Sequence, residues 1–117
     1  MNRVQKLCAL DDIRNGDSMG FYELATEDQA CVFAVHKEGY VYAYINRCPH
    51  TGAPLDWQPH MFLSFDGMHI QCSMHGARFR IEDGLCIAGP CAGQSLKKVM
   101  VTIEGRNVYC TLPQPTE

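Results

Sequence analysis

Cys31-Val32-Phe33-Ala34-Val35-His36, then Lys37-Glu38-Gly39, then Tyr40-Val41-Tyr42-Ala43-Tyr44-Ile45 is a pair of β-branched and aromatic runs joined by a short turn containing glycine. Such side chains suit a pleated, half-buried surface, and the turn between the runs makes the segment a β-hairpin. The pattern returns at Met61-Phe62-Leu63-Ser64-Phe65, Asp66-Gly67, Met68-His69-Ile70-Gln71-Cys72, where the Asp-Gly pair suits a two-residue turn with positive φ. Shorter apolar runs at residues 79–81, 96–103 and 108–112 are separated by Glu82-Asp83-Gly84 and by Glu104-Gly105-Arg106-Asn107. The predicted fold class is therefore all-β. Residues 9–13 suit a single helical turn and residues 15–18 a loop, and no window sustains the apolar period of a long helix. The Pro-containing tail, residues 113–117, reads as a frayed terminus.

A chain of 117 residues is sized for one compact core, and 46% hydrophobic with 20% charged residues is an ordinary globular balance. A net charge of −3 and a pI near 5.9 provide no basic surface to neutralise phosphates, so nucleic acid is not an expected partner. Arg3 and Lys6 stand near the N-terminus without the continuous apolar stretch of a signal peptide. Apolar runs elsewhere fall far short of the ~20 residues that span a bilayer. The expectation is a cytoplasmic protein without a membrane partner. Seven cysteines is an odd number, and a compartment that keeps thiols reduced favours metal binding over a disulfide framework. Cys8, Cys31, Cys86, Cys91 and Cys110 lack close ligand partners in the sequence and are read as core packing.

Two short motifs carry the chemistry: Cys48-Pro49-His50 and, after 21 intervening residues, Cys72-Ser73-Met74-His75-Gly76. Each couples a soft thiolate to an imidazole at a spacing that lets both converge from one tight loop. The predicted hairpin between the motifs would bring the loops to one end of a sheet. Pro49 and Gly52-Ala53-Pro54 cannot continue a strand ladder, and Gly76 permits close backbone approach. A structural zinc site of two Cys and two His competes for the same four residues, although a single residue between Cys48 and His50 is tighter than the usual zinc-finger pair.

This pattern resembles the Rieske [2Fe–2S] family, in which two Cys hold one iron and two His the other. The likeness extends through Cys48-Pro49-His50-Thr51-Gly52-Ala53-Pro54-Leu55, Gly76-Ala77-Arg78-Phe79 and Asp83-Gly84-Leu85-Cys86-Ile87-Ala88-Gly89-Pro90. It implies a Rieske [2Fe–2S] cluster held by Cys48, His50, Cys72 and His75. The implied architecture is an antiparallel β sandwich or barrel base, about residues 1–44 and 87–117, with a cluster-binding lobe inserted at about 45–86, the whole forming a single domain. The spacer between the motifs is longer than the family's common pattern, and the excess is assigned to residues 57–65. Gly89-Pro90-Cys91-Ala92-Gly93 resembles the family's proline-bearing loop that covers the cluster.

Respiratory members of the family carry an extra Cys in each cluster loop, where this chain has Ala53 and Met74, and a Ser and a Tyr where it has Ala77 and Phe79. Neither the loop disulfide nor those two hydroxyl donors can form here, and fewer donors toward the sulfurs imply a lower potential. The resemblance therefore implies a one-electron carrier: a ferredoxin component of a multicomponent oxygenase system, fed by a reductase and emptied by an oxygenase, with no catalytic residue of its own. A small accessory subunit of a larger reductase, similar to that of nitrite reductase, and a redox-sensing interaction module remain the alternatives. His36, His60 and His69 are read as surface or strand histidines, Trp57 as a core residue, and Arg78 and Arg80 as either a guide for an acidic partner or a solvated strand face.

Overall fold

The computed structural model describes residues 2–24, 30–49, 51–73 and 76–113. Among the described residues nine strands follow one another: β1 Asn2–Ala9, β2 Asp17–Phe21, β3 Val32–Lys37, β4 Tyr40–Ile45, β5 Ile70–Gln71, β6 Arg78–Phe79, β7 Cys86–Ala88, β8 Lys98–Glu104 and β9 Asn107–Pro113. A single 3-10 turn, Leu10–Asp12, is the helical turn expected there, and the Asp12 carboxylate accepts the Ala9 N–H at 2.9 Å. Among the described residues no helix is long and apolar enough to cross a membrane. The fold is all-β, as the sequence predicts: a curled six-stranded antiparallel sheet in the order β1-β9-β8-β4-β3-β2, and a small sheet in the order β5-β6-β7.

The β3–β4 hairpin is the expected one, with Lys37 opposite Tyr40 across Glu38-Gly39. Both turn residues take positive φ, 54° and 85°, the conformation that matches the twist of adjoining strands. Side chains alternate across the hairpin. Val32, Ala34, Ala43 and Ile45 face a core shared with Val99, Val108, Cys110 and Leu112. Phe33, Val35 and Tyr44 face a second core built with Leu55, Phe62, Ile70, Phe79, Ile81 and Leu96. One hairpin thus separates two buried layers, and the second layer carries the small sheet. Phe33 and Phe62 stack at 4.3 Å between ring centroids, a contact worth about 1 kcal/mol beyond its buried area. The Tyr44 hydroxyl donates to the Ile81 carbonyl at 2.6 Å, fixing the connection between β6 and β7 onto the large sheet.

Four expectations need correction. The second hairpin reverses direction where predicted, but its ladder shrinks to the Leu63–Ile70 bridge and the short β5. Asp66 closes the reversal by accepting from the Ser64 hydroxyl and the Met68 N–H, while the Phe62 N–H is drawn to the Ser18 hydroxyl instead of a partner strand. Residues 15–18 are only partly a loop, because β2 begins at Asp17 opposite His36. Trp57 is not core but 56% exposed; Leu55 and Phe62 take the buried positions around it. Pro113, read as part of a frayed tail, still pairs with Asn2, and residues 114–117 lie outside the described ones.

Gly84 takes a φ of 74°, and an added Cβ would lie 2.8 Å from the Tyr44 ring and 3.2 Å from Leu96. Gly67, with a φ of 73°, has open space in the same direction. Gly84→Ala should therefore cost about 3 kcal/mol, backbone strain plus overpacking, whereas Gly67→Ala should cost about 1 kcal/mol from strain alone. Urea unfolding of the two variants measures the difference.

Candidate metal centre

The first cysteine motif follows β4 directly, and the second is the connection between β5 and β6. Both loops close with the same pair of backbone hydrogen bonds. The Cys48 N–H donates to the Ala53 carbonyl at 2.8 Å and the Gly52 N–H to the Cys48 carbonyl at 2.8 Å. The Cys72 N–H donates to the Ala77 carbonyl at 2.8 Å and the Gly76 N–H to the Cys72 carbonyl at 3.1 Å. Gly52 and Gly76 supply the left-handed residue this closure needs, with φ of 77° and 67°. The turn from Arg80 to Leu85 repeats the pattern, with Gly84 in the equivalent place. The loop form is thus a general connection of this chain, and it is the cysteine at its head that distinguishes two of the three.

A third hydrogen bond, from the Ser73 N–H to the Leu55 carbonyl at 2.9 Å, ties the two cysteine loops together. The cysteines themselves are buried in one apolar cluster, Cys48 at 2% and Cys72 at 0% exposure. His50 and His75, the other two predicted ligands, lie outside the described residues, as does Met74. No disulfide links any of the seven cysteines.

Asn46 organises the first loop and was not singled out in the sequence, where a lone Asn after a strand looks like any turn residue. It is 3% exposed. Its side-chain oxygen accepts the Leu55 N–H at 2.8 Å, and its amide donates to Asp56 at 3.1 Å and to the Cys31 sulfur at 3.4 Å. Asp56 also accepts from the Tyr22 hydroxyl at 2.7 Å, and that hydroxyl accepts the His60 N–H at 2.7 Å. Burial, with the Asp56 carboxylate beside it, pushes Tyr22 up to about 12, so it remains a donor at neutral pH. The loop that precedes Cys48 is thereby bound to the end of β2.

The proline-bearing loop, residues 89–93, presses on both cysteine loops. A Cβ on Gly89 would lie 2.8 Å from the Ala77 Cα, so only glycine permits this approach. Cys91 is fully buried, its sulfur 3.2 Å from that of Cys86 and within hydrogen-bonding reach of Cys48. Burial first, then the neighbouring sulfurs, pushes the Cys91 thiol up to about 12. Cys86 and Cys91 are buried as the sequence predicts, but their place beside a candidate ligand could not be read from spacing. Of the other cysteines read as core, Cys8 and Cys110 are buried and Cys31 is partly exposed.

His36 lies in β3 with its Nδ1 2.6 Å from the Ile13 carbonyl, and His60 accepts the Gly20 N–H through Nδ1 at 3.0 Å. Both are structural contacts, in accord with the sequence reading. Arg80 pairs with Asp83 inside its own turn, which holds that carboxylate down at about 2 and leaves Arg78 as the freer cation of the two. Trp57, Phe65 and Arg78 line an open groove that reaches Ser73, beside the second cysteine.

Two buried thiols at the heads of matched, hydrogen-bonded loops suit a soft or borderline metal centre with sulfur ligands. The sequence matches the Rieske [2Fe-2S] domain family over residues 3–110. It is 31% identical to the ferredoxin component of the p-cumate 2,3-dioxygenase system of Pseudomonas putida over 88% of this chain and 80% of that one. Among solved structures, the ferredoxin of carbazole 1,9a-dioxygenase from Nocardioides aromaticivorans IC177 superposes with a TM-score of 0.72 at 25% identity, covering 95% of this chain and 98% of that one. The Sphingomonas yanoikuyae B1 ferredoxin superposes with a TM-score of 0.71 at 29% identity, covering 97% and 100%.

Replacing Asn46 by Ala would leave the buried Leu55 N–H without its acceptor and release Asp56. The expected cost is about 2 kcal/mol, read from chemical denaturation, with Asn46→Asp unable to restore the donor side of the network.

Proposed function

The chain belongs to the Rieske [2Fe-2S] domain family, and from that membership we propose that it is a one-electron carrier, the ferredoxin component of a multicomponent oxygenase system. In this reading Cys48 and Cys72 hold one iron of a [2Fe–2S] cluster, and His50 and His75 hold the other. The observation that carries it is the matched pair of loops, each presenting a buried cysteine from the same backbone closure and joined by the Ser73–Leu55 hydrogen bond. When bound, the cluster supplies a site that accepts and releases a single electron. The domain divides into a base at about residues 1–44 and 87–117 and a cluster-binding lobe at about 45–86.

The residues of this chain account for the rest of the work. Leu55, Phe62, Phe79 and Ile81 exclude water from the thiolate side, which keeps the local dielectric low and makes each nearby dipole count for more. Ala77 and Phe79 are buried and bring no hydroxyl toward the second loop, so the reduced state gains little from side-chain donors there. Backbone N–H groups of the loops are among the donors that remain. The absence of disulfides among seven cysteines accords with a cytoplasmic setting, where thiols remain reduced. Its partners are a reductase as donor and an oxygenase as acceptor, by likeness to the p-cumate and carbazole ferredoxins.

Substitution separates this from a zinc site. Cys48→Ser, Cys72→Ser, His50→Ala and His75→Ala should each lose bound iron and inorganic sulfide together, while Cys110→Ala should retain both at two of each per chain. Reductive titration of the intact protein should take up one electron per chain, and the reduced protein should be reoxidised by an aromatic-ring oxygenase component. Stoichiometric zinc without sulfide, and no electron uptake, would contradict the proposal.

A further inference from the structure

Cys91 is 0% exposed, lies in the loop that covers both cysteine loops, and shares one buried cluster with two further sulfurs, that of Cys86 at 3.2 Å and that of Cys48 within hydrogen-bonding reach. A thiol has one proton to donate. The Cys86 proton is already engaged, because that sulfur donates to the Ala88 carbonyl at 3.2 Å. The Cys91 proton therefore has two acceptors, the neutral Cys86 sulfur and the Cys48 sulfur. Once Cys48 serves as an iron ligand it is a thiolate, and a hydrogen bond to a charged acceptor is roughly twice as strong as one between neutral groups. The Cys91 S–H then donates to Cys48 and keeps its proton.

We propose that Cys91 is a positioning residue for electron transfer, its buried S–H donating to the Cys48 thiolate and raising the potential of the centre. The inference rests on the reading of Cys48 as a cluster ligand. Reduction adds negative charge that spreads onto the sulfur ligands, so a donor aimed at Cys48 stabilises the reduced form more than the oxidised one. Burial strengthens the effect, since no water competes for the proton and the surrounding side chains are apolar. Ala77 and Phe79 carry no side-chain donor, so neither duplicates the contribution of Cys91. Cys86 has a supporting part: it anchors the Cys91 side chain, and its own proton is directed away to Ala88.

Anaerobic potentiometric titration of the holoprotein and three variants tests this. Cys91→Val, which fills the space without a donor, should shift the midpoint to lower potential. Cys91→Ser, which keeps a donor, should stay at or above the wild-type value, and Cys110→Ala, in the other core, should leave it unchanged. Infrared difference spectra between oxidised and reduced wild-type protein provide a second readout: an S–H stretching band should move on reduction and be missing from Cys91→Val and Cys91→Ser. An unshifted midpoint in Cys91→Val with its iron and sulfide intact would overturn the proposal, as would equal downward shifts in Cys91→Ser and Cys91→Val, which would indicate packing alone. If Cys91→Val fails to fold, a wild-type S–H band indifferent to redox state would overturn it by itself. Wild-type protein lacking iron and sulfide would instead contradict the cluster assignment beneath it.

Discussion

Each cysteine loop is closed by two backbone hydrogen bonds, Cys N–H to an alanine carbonyl and glycine N–H to the cysteine carbonyl, and much else in this structure serves to hold those two closures against one another. The closure needs a residue with positive φ, which is why glycine stands at positions 52 and 76. It also needs a fixed root for each loop. The first loop is rooted in β4, whose last three side chains, Ala43, Tyr44 and Ile45, are buried on both faces, and the second in β5 and β6, which lie over Phe33, Val35 and Tyr44. Moving β4 would therefore disturb both cores and the first loop together.

Rigidity of this kind has a chemical purpose. A centre that gains and loses an electron works best where its ligands change position little between states, and where the dipoles that favour one state are already in place. The Asn46 network meets that need at the first cysteine loop and the Gly89 contact on Ala77 at the second. By contrast, the apolar side chains of Trp57, Met61, Phe65 and Met68 are exposed, in the stretch that makes the spacer between the motifs long. The chain is thus firm around its sulfurs and open beside them.

Much of this was legible in the sequence. The β3–β4 hairpin announces itself through β-branched and aromatic runs and a Glu-Gly turn, and the two loops headed by Cys48 and Cys72 through their short Cys–His motifs, whose histidines lie outside the described residues. Other parts were hidden for physical reasons. β1 mixes polar with apolar residues and gains its order from pairing with β9 along its length, a contact that no local pattern encodes. The 61–72 segment carries a strong strand signal, yet Ser18 captures the Phe62 N–H and Phe62 itself is taken into the stack on Phe33. Trp57 looked like core because a large ring usually is, but position in a loop outweighs residue type. Asn46 and the Cys86–Cys91 pair depend on contacts formed only after folding, and no spacing rule reveals them.

The central claim is that Cys48, His50, Cys72 and His75 hold an iron–sulfur cluster with mixed ligation. Its most direct test is the low-temperature EPR spectrum of anaerobically purified, dithionite-reduced protein. The account predicts a rhombic signal with the low average g value of mixed cysteine and histidine ligation, integrating to one spin per chain. A signal of the higher average g value typical of all-cysteine ligation would contradict the ligand assignment, and an EPR-silent protein would contradict the cluster itself.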